Sequence, residues 1–210
     1  YLAILATCGP GDEVIIPGPY WASYPDMVKL AGGTPVFVSA GQNEKFKMRP
    51  SELAAAITPQ TKWFMFCSPS NPTGAAYSWD ELQALADVLL AHPHVHILTD
   101  DVYEHLIFDD HKFATLAQVE PRLYDRTVTC NSVSKAFSMT GFRVGYAGGP
   151  KDIIAKMSNM QSQSTAGVSA LGQAAAVAAL NGPQDLLAER AANLQRRRGI
   201  LFEKLNAAKG

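Results

Sequence analysis

The order of short β-rich runs and helical runs constrains the fold of this chain more than any other feature. Runs rich in β-branched and aromatic residues alternate with runs whose apolar residues recur at helical spacing. This alternation predicts an α/β fold, a mostly parallel sheet sandwiched by helices. The predicted strands are residues 13–17, 34–39, 61–67, 95–99, 127–130 and 143–147. The predicted helices are residues 24–31, 51–57, 79–91, 151–163, 169–180 and 186–209, with helix N-terminal signals at Ser51 and Ser78.

Composition and charge limit the classes of function. The chain of 210 residues has 18 Lys and Arg against 19 Asp and Glu, which gives a formal net charge of −1. It shows no basic excess that predicts a nucleic-acid partner and no apolar stretch long enough to predict a membrane span. Because Cys8, Cys67 and Cys130 are odd in number and lie in apolar runs, we expect free buried thiols in a reducing, cytoplasmic compartment.

The two ends of the chain are typical of the interior of a longer polypeptide. The chain opens without methionine on an apolar helical run, residues 1–6. It closes on a charged amphipathic helix, residues 186–209, with no later element to pack against. We therefore expect an internal piece of a longer protein.

Lys135 lies in a polar, hydroxyl-rich stretch, and Arg143 follows eight residues later. A lone lysine is usually a solvated surface charge, and a lone arginine is usually in a surface ion pair. Here the loop can present one amine to an electrophilic carbonyl, while the hydroxyls of Ser132 and Ser134 and the Arg143 guanidinium hold a phosphate nearby. A pyridoxal 5′-phosphate (PLP) Schiff-base site requires this combination.

Further polar side chains follow the predicted strands, where ligands gather in open α/β sheets. Asn71 lies in a rigid turn, Ser68-Pro69-Ser70-Asn71-Pro72-Thr73-Gly74, and either aims its amide at a ligand oxygen or caps its own backbone. Asp100 ends a buried apolar strand, so it needs a cationic partner such as a protonated pyridine nitrogen, unless it is a helix N-cap.

Three aromatic and acidic residues near these positions are interpreted together with them. Tyr103 is expected on the same side of the next turn as Asp100, where it could donate to the phenolic oxygen of a pyridoxal ring. Asp101 is expected to be the solvated member of the acidic pair. Trp21 follows the first strand and either stacks on a planar ring or fills the core.

Two clusters of basic residues are expected to be solvated surface features. His92, His94 and His96 alternate and could share one face of a strand as metal ligands, but Pro93 interrupts them and no matching ligand cluster occurs elsewhere. We expect a solvated helix–strand junction there and no metal site. The arginines at 196–198 are expected to form a solvated helix face rather than a nucleic-acid patch.

In this order, the motifs resemble those of the fold-type I, PLP-dependent class I/II aminotransferases, and within them the bacterial aspartate/aromatic group. The resemblance extends over essentially the whole chain. It rests on Pro10-Gly11-Asp12-Glu13-Val14, Pro19-Tyr20-Trp21, the Ser68-to-Gly74 turn, Asp100-Asp101-Val102-Tyr103-Glu104-His105-Leu106 and the Ser132-to-Arg143 run.

The resemblance implies a role for each candidate residue. The residues it assigns to PLP binding are Trp21, Asn71, Asp100, Tyr103, Ser132, Ser134, Lys135 and Arg143. Among these, the catalytic residues are Lys135, which holds the cofactor and moves the substrate proton, Asp100, which pairs with the ring nitrogen, and Tyr103. Asn71 and Trp21 are also expected to face the substrate.

The resemblance also implies a reaction and an assembly. It predicts ping-pong transfer of an amino group between aspartate or an aromatic amino acid and a 2-oxo acid such as 2-oxoglutarate, in a homodimer with shared active sites. Residues 1–182 would be the large PLP-binding domain, truncated at its start, and residues 183–210 the beginning of the long helix that leads to the small domain.

Other implications of the resemblance leave alternatives open. The family's glycine-rich phosphate loop and carboxylate-binding arginine fall outside the chain, so we expect this piece alone to be inactive. Residues 164–169 differ from the family's usual asparagine-proline version, which leaves their role open. The alternative functions are a PLP lyase or synthase of the same fold, and a catalytically silent PLP-binding module.

Overall fold

A six-stranded sheet with helices on both faces organises residues 1–208, the part of the chain that this computed structural model describes. The strands are β1 (Glu13–Gly18), β2 (Thr34–Ser39), β3 (Thr61–Cys67), β4 (His96–Asp100), β5 (Thr127–Ser132) and β6 (Gly145–Gly148). The helices are α1 (Leu2–Thr7), α2 (Ser23–Leu30), α3 (Pro50–Ala56), α4 (Trp79–Leu90), α5 (Leu116–Val119), α6 (Lys151–Ser164), α7 (Ala170–Asn181) and α8 (Asp185–Ala207). Short 3₁₀ turns occur at Gln42–Glu44, Pro121–Arg126 and Thr140–Phe142.

The strand order and directions bring the polar loops to one edge of the sheet. The order is β2-β1-β3-β4-β5-β6, and every neighbouring pair is parallel except β5 and β6. The loops that follow β1, β3, β4 and β5 therefore emerge at the same edge. Because β6 is antiparallel, it begins at that edge, so the residues just before it also lie there. The predicted mostly parallel α/β fold is confirmed.

The central strand β3 shows why both faces of the sheet need helices. Phe64 and Phe66 point into one apolar cluster with α3, α4 and α5. Trp63 and Met65 point into a second cluster with α1, α2 and α6. Nearly all of β3 is buried, as expected for a parallel strand covered on both sides.

A third apolar cluster fixes the loop that carries Lys135. Val133, Ala136 and Phe137, on either side of the lysine, are buried against residues of α7 and α8 such as Ala176 and Leu187. Lys135 itself is exposed. The backbone is therefore anchored while the amine is left free.

The predicted elements agree with the observed ones to within two residues at each end, apart from the predicted end of the last helix at Lys209, which lies outside the described residues. Ser78 forms the predicted N-cap, since its hydroxyl accepts from the Glu81 amide at 3.3 Å. The signal at Ser51 and Glu52 located the start of α3 to within one residue, but the N-cap is Arg49, whose amide donates to Glu52 at 2.8 Å. α5 and its following 3₁₀ turn were not predicted.

None of the helices in residues 1–208 has both the length and the apolar character that spanning a bilayer requires.

Candidate active site

A cavity of about 310 Å³ opens at the edge of the sheet where the polar loops meet. The side chains that line it include all eight positions that the sequence indicated: Trp21, Asn71, Asp100, Tyr103, Ser132, Ser134, Lys135 and Arg143. They come from the loops after β1, β3, β4 and β5 and from the turn before β6. The topology thus gathers residues that are far apart in sequence, although their individual roles remain predictions.

Asp100 lies at the base of the cavity, between two cysteines. In the register of the sheet it is paired with Cys67 on one side and Cys130 on the other. Burial, with the nearby Asp100 carboxylate, raises the pKa of both thiols to about 12. Both are therefore neutral at physiological pH, and all three cysteines of the chain are free, as expected. They are only partly buried, however, whereas full burial was predicted.

Tyr24 donates a hydrogen bond of 2.7 Å from its hydroxyl to Oδ2 of Asp100. Burial raises the pKa of Tyr24, and the neighbouring Cys67 and Asp100 act in the same direction, which keeps the hydroxyl protonated as a donor. No Lys, Arg or His of residues 1–208 forms an ion pair with Asp100. The chain after Asp100 forms turns, so the helix N-cap interpretation is wrong.

Asp101 corrects an expectation from the sequence. It was predicted to be solvated, but its relative exposure is only 4%. Burial raises its pKa to about 7, with the charges of Glu104 and Asp100 acting in the same direction and the Thr99 hydroxyl, 3.5 Å from Oδ2, acting against them. The backbone explains the burial, because the Asp101 amide continues the strand ladder by donating to the Cys130 carbonyl at 2.9 Å. Its side chain is thereby turned inward while that of Asp100 faces the cavity.

Tyr103 and Lys135 face each other across the cavity. The Lys135 Nζ lies 6.0 Å from the centroid of the Tyr103 ring. Burial raises the pKa of the Tyr103 hydroxyl, and Cys67 and then the Asp100 carboxylate add to this effect. Asn71 also lines this cavity.

Trp21 is part of the cavity wall and not of the apolar core. Its indole is 42% exposed and meets the Tyr24 ring edge to face, with centroids 5.6 Å apart. The face of the indole is therefore available to a planar ligand. This geometry supports the stacking interpretation over the core-filling one.

Hydroxyls and a guanidinium lie beside Lys135. The Ser132 hydroxyl accepts from the Ser134 amide at 3.2 Å. The Arg143 guanidinium donates to the Thr140 carbonyl at 2.8 Å and has no ion-pair partner among the described carboxylates, which excludes the surface ion pair considered above. Arg143 was predicted to begin a strand, but it adopts a left-handed conformation with φ of 54° that ends the preceding 3₁₀ turn. That turn places it at the cavity instead of in the sheet.

Sequence reasoning missed several residues that line or support the cavity. Tyr24 was treated only as the start of a helix. Asn131 lines the cavity and is bonded to Glu104, which was quoted only as part of a motif. No sequence signal connects these last two residues, since they are on different loops.

The histidine cluster at 92–96 and the arginine cluster at 196–198 were both expected to be solvated, and neither is so throughout. His94 is exposed and its Nε2 lies 3.1 Å from the Thr58 carbonyl, whereas His96 is partly buried against Trp63. Among residues 1–208, no group of three or more His, Cys, Asp or Glu is arranged to hold a metal ion. Arg198 is not merely solvated, because it forms an ion pair with Asp109.

The cavity fits a PLP-sized ligand in its chemistry. Asp100 is a partly buried carboxylate that accepts a hydrogen bond from the neutral Tyr24 hydroxyl. Among the described residues, no cationic side chain forms an ion pair with it. A protonated pyridine nitrogen would supply that cation. The amine of Lys135 and the guanidinium of Arg143 line the same cavity, which suits an aldehyde and a phosphate of one molecule.

The comparison with known protein families decides the classification. The sequence pattern of the family Aminotransferase class I and II matches residues 1–210. This chain is a class I/II aminotransferase by family. The family is PLP-dependent in general, and the resemblance predicted from the motifs is confirmed.

Individual relatives of this aminotransferase are similar over almost its whole length. The aspartate/prephenate aminotransferase of Cereibacter sphaeroides is 60% identical over 210 residues, which are 100% of this chain and 52% of that protein. A crystal structure of the aspartate aminotransferase from Rhizobium meliloti superposes with a TM-score of 0.97 at 52% identity, covering 100% of this chain and 52% of that one. The Thermus thermophilus aspartate aminotransferase with maleate gives 0.90 at 40% identity, covering 98% and 53%. The chain thus spans about half the length of these relatives.

Proposed function

We propose that the protein to which this chain belongs is a PLP-dependent transaminase that moves an amino group between an amino acid and a 2-oxo acid. The observation that carries the proposal is that Lys135, Asp100 and Arg143 line the same cavity in a chain of the aminotransferase family. We propose aspartate as amino donor, because relatives that are 60% and 52% identical to this chain are named for aspartate. Their names also make prephenate an acceptor to test beside 2-oxoglutarate.

Each side chain of the cavity has a role in holding the cofactor under this proposal. Asp100, fixed by Tyr24, would keep the proton on the pyridine nitrogen, and Trp21 would cover one face of the ring. Asn71 and Tyr103 would hydrogen-bond the phenolic oxygen. When bound, PLP supplies a conjugated pyridinium that takes up the electron pair left when a substrate Cα–H bond breaks.

Two groups are then available to the phosphate. The Ser132 and Ser134 hydroxyls are short, neutral donors. Arg143 carries a planar guanidinium that can bind phosphate oxygens through two parallel hydrogen bonds. Because Arg143 is not engaged by a described carboxylate, its charge is not already neutralised in the protein.

Lys135 would have two successive roles. Its amine is the nucleophile that attaches the cofactor. Once a substrate amino group displaced it, the freed amine would be the base that accepts the proton from the substrate Cα and the acid that donates it to the carbon where the new C–H bond forms. Its exposure at the cavity, on a loop anchored by Val133, Ala136 and Phe137, leaves the amine free to move over the short distance that proton transfer needs.

The setting of the reaction is part of the proposal. Residues 1–182 would form most of the PLP-binding domain and residues 183–210 the start of the helix that leads to a further domain. We propose a homodimer, as the family generally forms, and a cytoplasmic location, which the free thiols favour.

The test is a half-reaction in the full-length protein loaded with PLP. We expect aspartate to change the visible absorbance of the bound cofactor and to yield one equivalent of oxaloacetate per site, and a 2-oxo acid to reverse the change. Release of ammonia or pyruvate in place of transfer would indicate a lyase. Bound cofactor whose absorbance responds to no amino acid would indicate a silent binding module.

A further inference from the structure

A chain of hydrogen bonds leads from Glu104 through the Asn131 side chain to the backbone of Ser132, close to Lys135. Glu104 Oε1 accepts from Asn131 Nδ2 at 2.6 Å. Asn131 Oδ1 accepts from the Ser132 amide at 2.7 Å. The Ser132 hydroxyl in turn accepts from the Ser134 amide at 3.2 Å. Glu104 is therefore linked through one side chain to both candidate phosphate-binding serines.

The direction of these bonds fixes the orientation of the Asn131 amide. A carboxylate only accepts hydrogen bonds, so Asn131 must turn its NH₂ group toward Glu104. The amide oxygen then necessarily faces the Ser132 N–H. Without the acceptor at Glu104, the amide of Asn131 could rotate, and the Ser132 N–H would lose a partner of fixed orientation.

The negative charge of Glu104 does not explain this arrangement by itself. A carboxylate near a dianionic phosphate opposes phosphate binding through space. Glu104 is not among the residues that line the cavity, and the neutral Asn131 amide stands between it and Ser132. Its contribution therefore comes from its acceptor oxygen, which an amide could replace.

An ion pair with His105 is the other role that the Glu104 carboxylate could have. Its Nε2 lies 3.3 Å from the same Oε1 atom, and its side chain is 42% exposed. Exposed pairs of this kind contribute little to stability. The shorter bond to Asn131, at 2.6 Å, is the one that connects Glu104 to the cavity.

We propose that Glu104 is a positioning residue for the cofactor phosphate, which it orients through Asn131 and Ser132. The proposal rests on the proposed function, since it assumes that this cavity takes PLP. It does not require Glu104 to contact the ligand.

The experiment compares PLP with pyridoxal, which has the same ring and aldehyde but no phosphate. Dissociation constants for both would be measured by absorbance titration on the full-length protein and on Glu104→Ala, Asn131→Ala and the double variant. Glu104→Gln keeps an acceptor oxygen at this position and is the conservative variant. His105→Gln is the matched control for the neighbouring pair.

We expect Glu104→Ala and Asn131→Ala each to weaken PLP binding about tenfold, the loss typical of one hydrogen bond to a charged group, and to change pyridoxal binding less than about twofold. The double variant should bind PLP about as well as either single variant, because both act on one network. Glu104→Gln and His105→Gln should remain within about twofold of the wild type.

Four results would overturn the proposal. Equal weakening of PLP and pyridoxal by Glu104→Ala would show a general structural role. Unchanged PLP affinity, or a Glu104→Gln variant as weak as Glu104→Ala, would show that the acceptor oxygen has no influence on the phosphate. A wild-type protein that binds neither ligand would overturn the proposed function, and this proposal with it.

Discussion

The buried carboxyl of Asp101 should make the stability of the protein depend on pH in a direction opposite to that of an ordinary paired carboxylate. Its pKa lies at about 7 in the folded protein, above the ordinary value of 3.8, because burial disfavours the charged form. The folded protein therefore binds this proton more tightly than the unfolded chain does. The stabilisation is fully present below pH 3.8 and is lost as the pH rises through 7.

The expected size follows from this difference between the two pKa values. Between about pH 5 and pH 9, the folded state loses about 3 kcal/mol of stability through ionisation of Asp101, using 1.36 kcal/mol per pKa unit. Asp101→Asn keeps the shape of the side chain but cannot ionise. The free energy of unfolding of the variant, minus that of the wild type, should therefore rise by about 3 kcal/mol over the same range.

The assay is urea unfolding of both proteins without PLP at several pH values, with Asp125→Asn as the control. Asp125 is an exposed carboxylate, so its replacement should change stability by no more than about 0.5 kcal/mol at every pH. A difference between Asp101→Asn and wild type that does not vary with pH would refute the reasoning. It would mean that Asp101 is ionised in the folded state throughout.

Three further substitutions test single contacts. Tyr24→Phe removes the donor to Asp100, and we expect about tenfold weaker PLP binding in an absorbance titration, with an unchanged affinity contradicting the contact. Arg126→Met removes a guanidinium that donates to carbonyls at the end of α4, and urea unfolding should show a loss of about 2–3 kcal/mol, whereas a loss below about 0.5 kcal/mol would contradict this. Gly149→Ala would place a methyl group 2.9 Å from Val128 Cγ2, so thermal unfolding should reveal a destabilisation of about 1–3 kcal/mol that a surface Ala substitution does not cause.

The arrangement of the sheet was predictable because its strands carry strong local signals. The run 61–67 is apolar and rich in aromatic residues, and it is strand β3 in the structure, buried on both faces. Polar residues after such strands must emerge at one edge of a parallel sheet. This rule was sufficient to place Asn71 and Asp100 at one cavity before any contact was known.

The local backbone at the site was harder to predict. Arg143 is followed by apolar and aromatic residues that favour a strand, but the chain turns there through a left-handed residue. Asp101 was predicted to be the solvated member of the acidic pair, but it is buried. Its burial depends on the bond between its amide and the Cys130 carbonyl, a contact between residues far apart in sequence that no local pattern reveals.

The partners of the site residues also depend on tertiary contacts. Tyr24 reaches Asp100 across 76 positions of sequence, and Glu104 reaches Asn131 across 27. Neither pair has a motif of its own. Sequence reasoning therefore identified residues that face the cavity and missed those that hold them in place.

The central claim is that Lys135 is the attachment point of the cofactor in this cavity. The most direct measurement is borohydride reduction of the PLP-loaded full-length protein, followed by peptide mass mapping, with Lys135→Ala treated in parallel. The account predicts a covalent pyridoxyl adduct on the peptide that contains Lys135, and none at that peptide in the variant. An adduct on another lysine, or the absence of any adduct in the wild type, would contradict it.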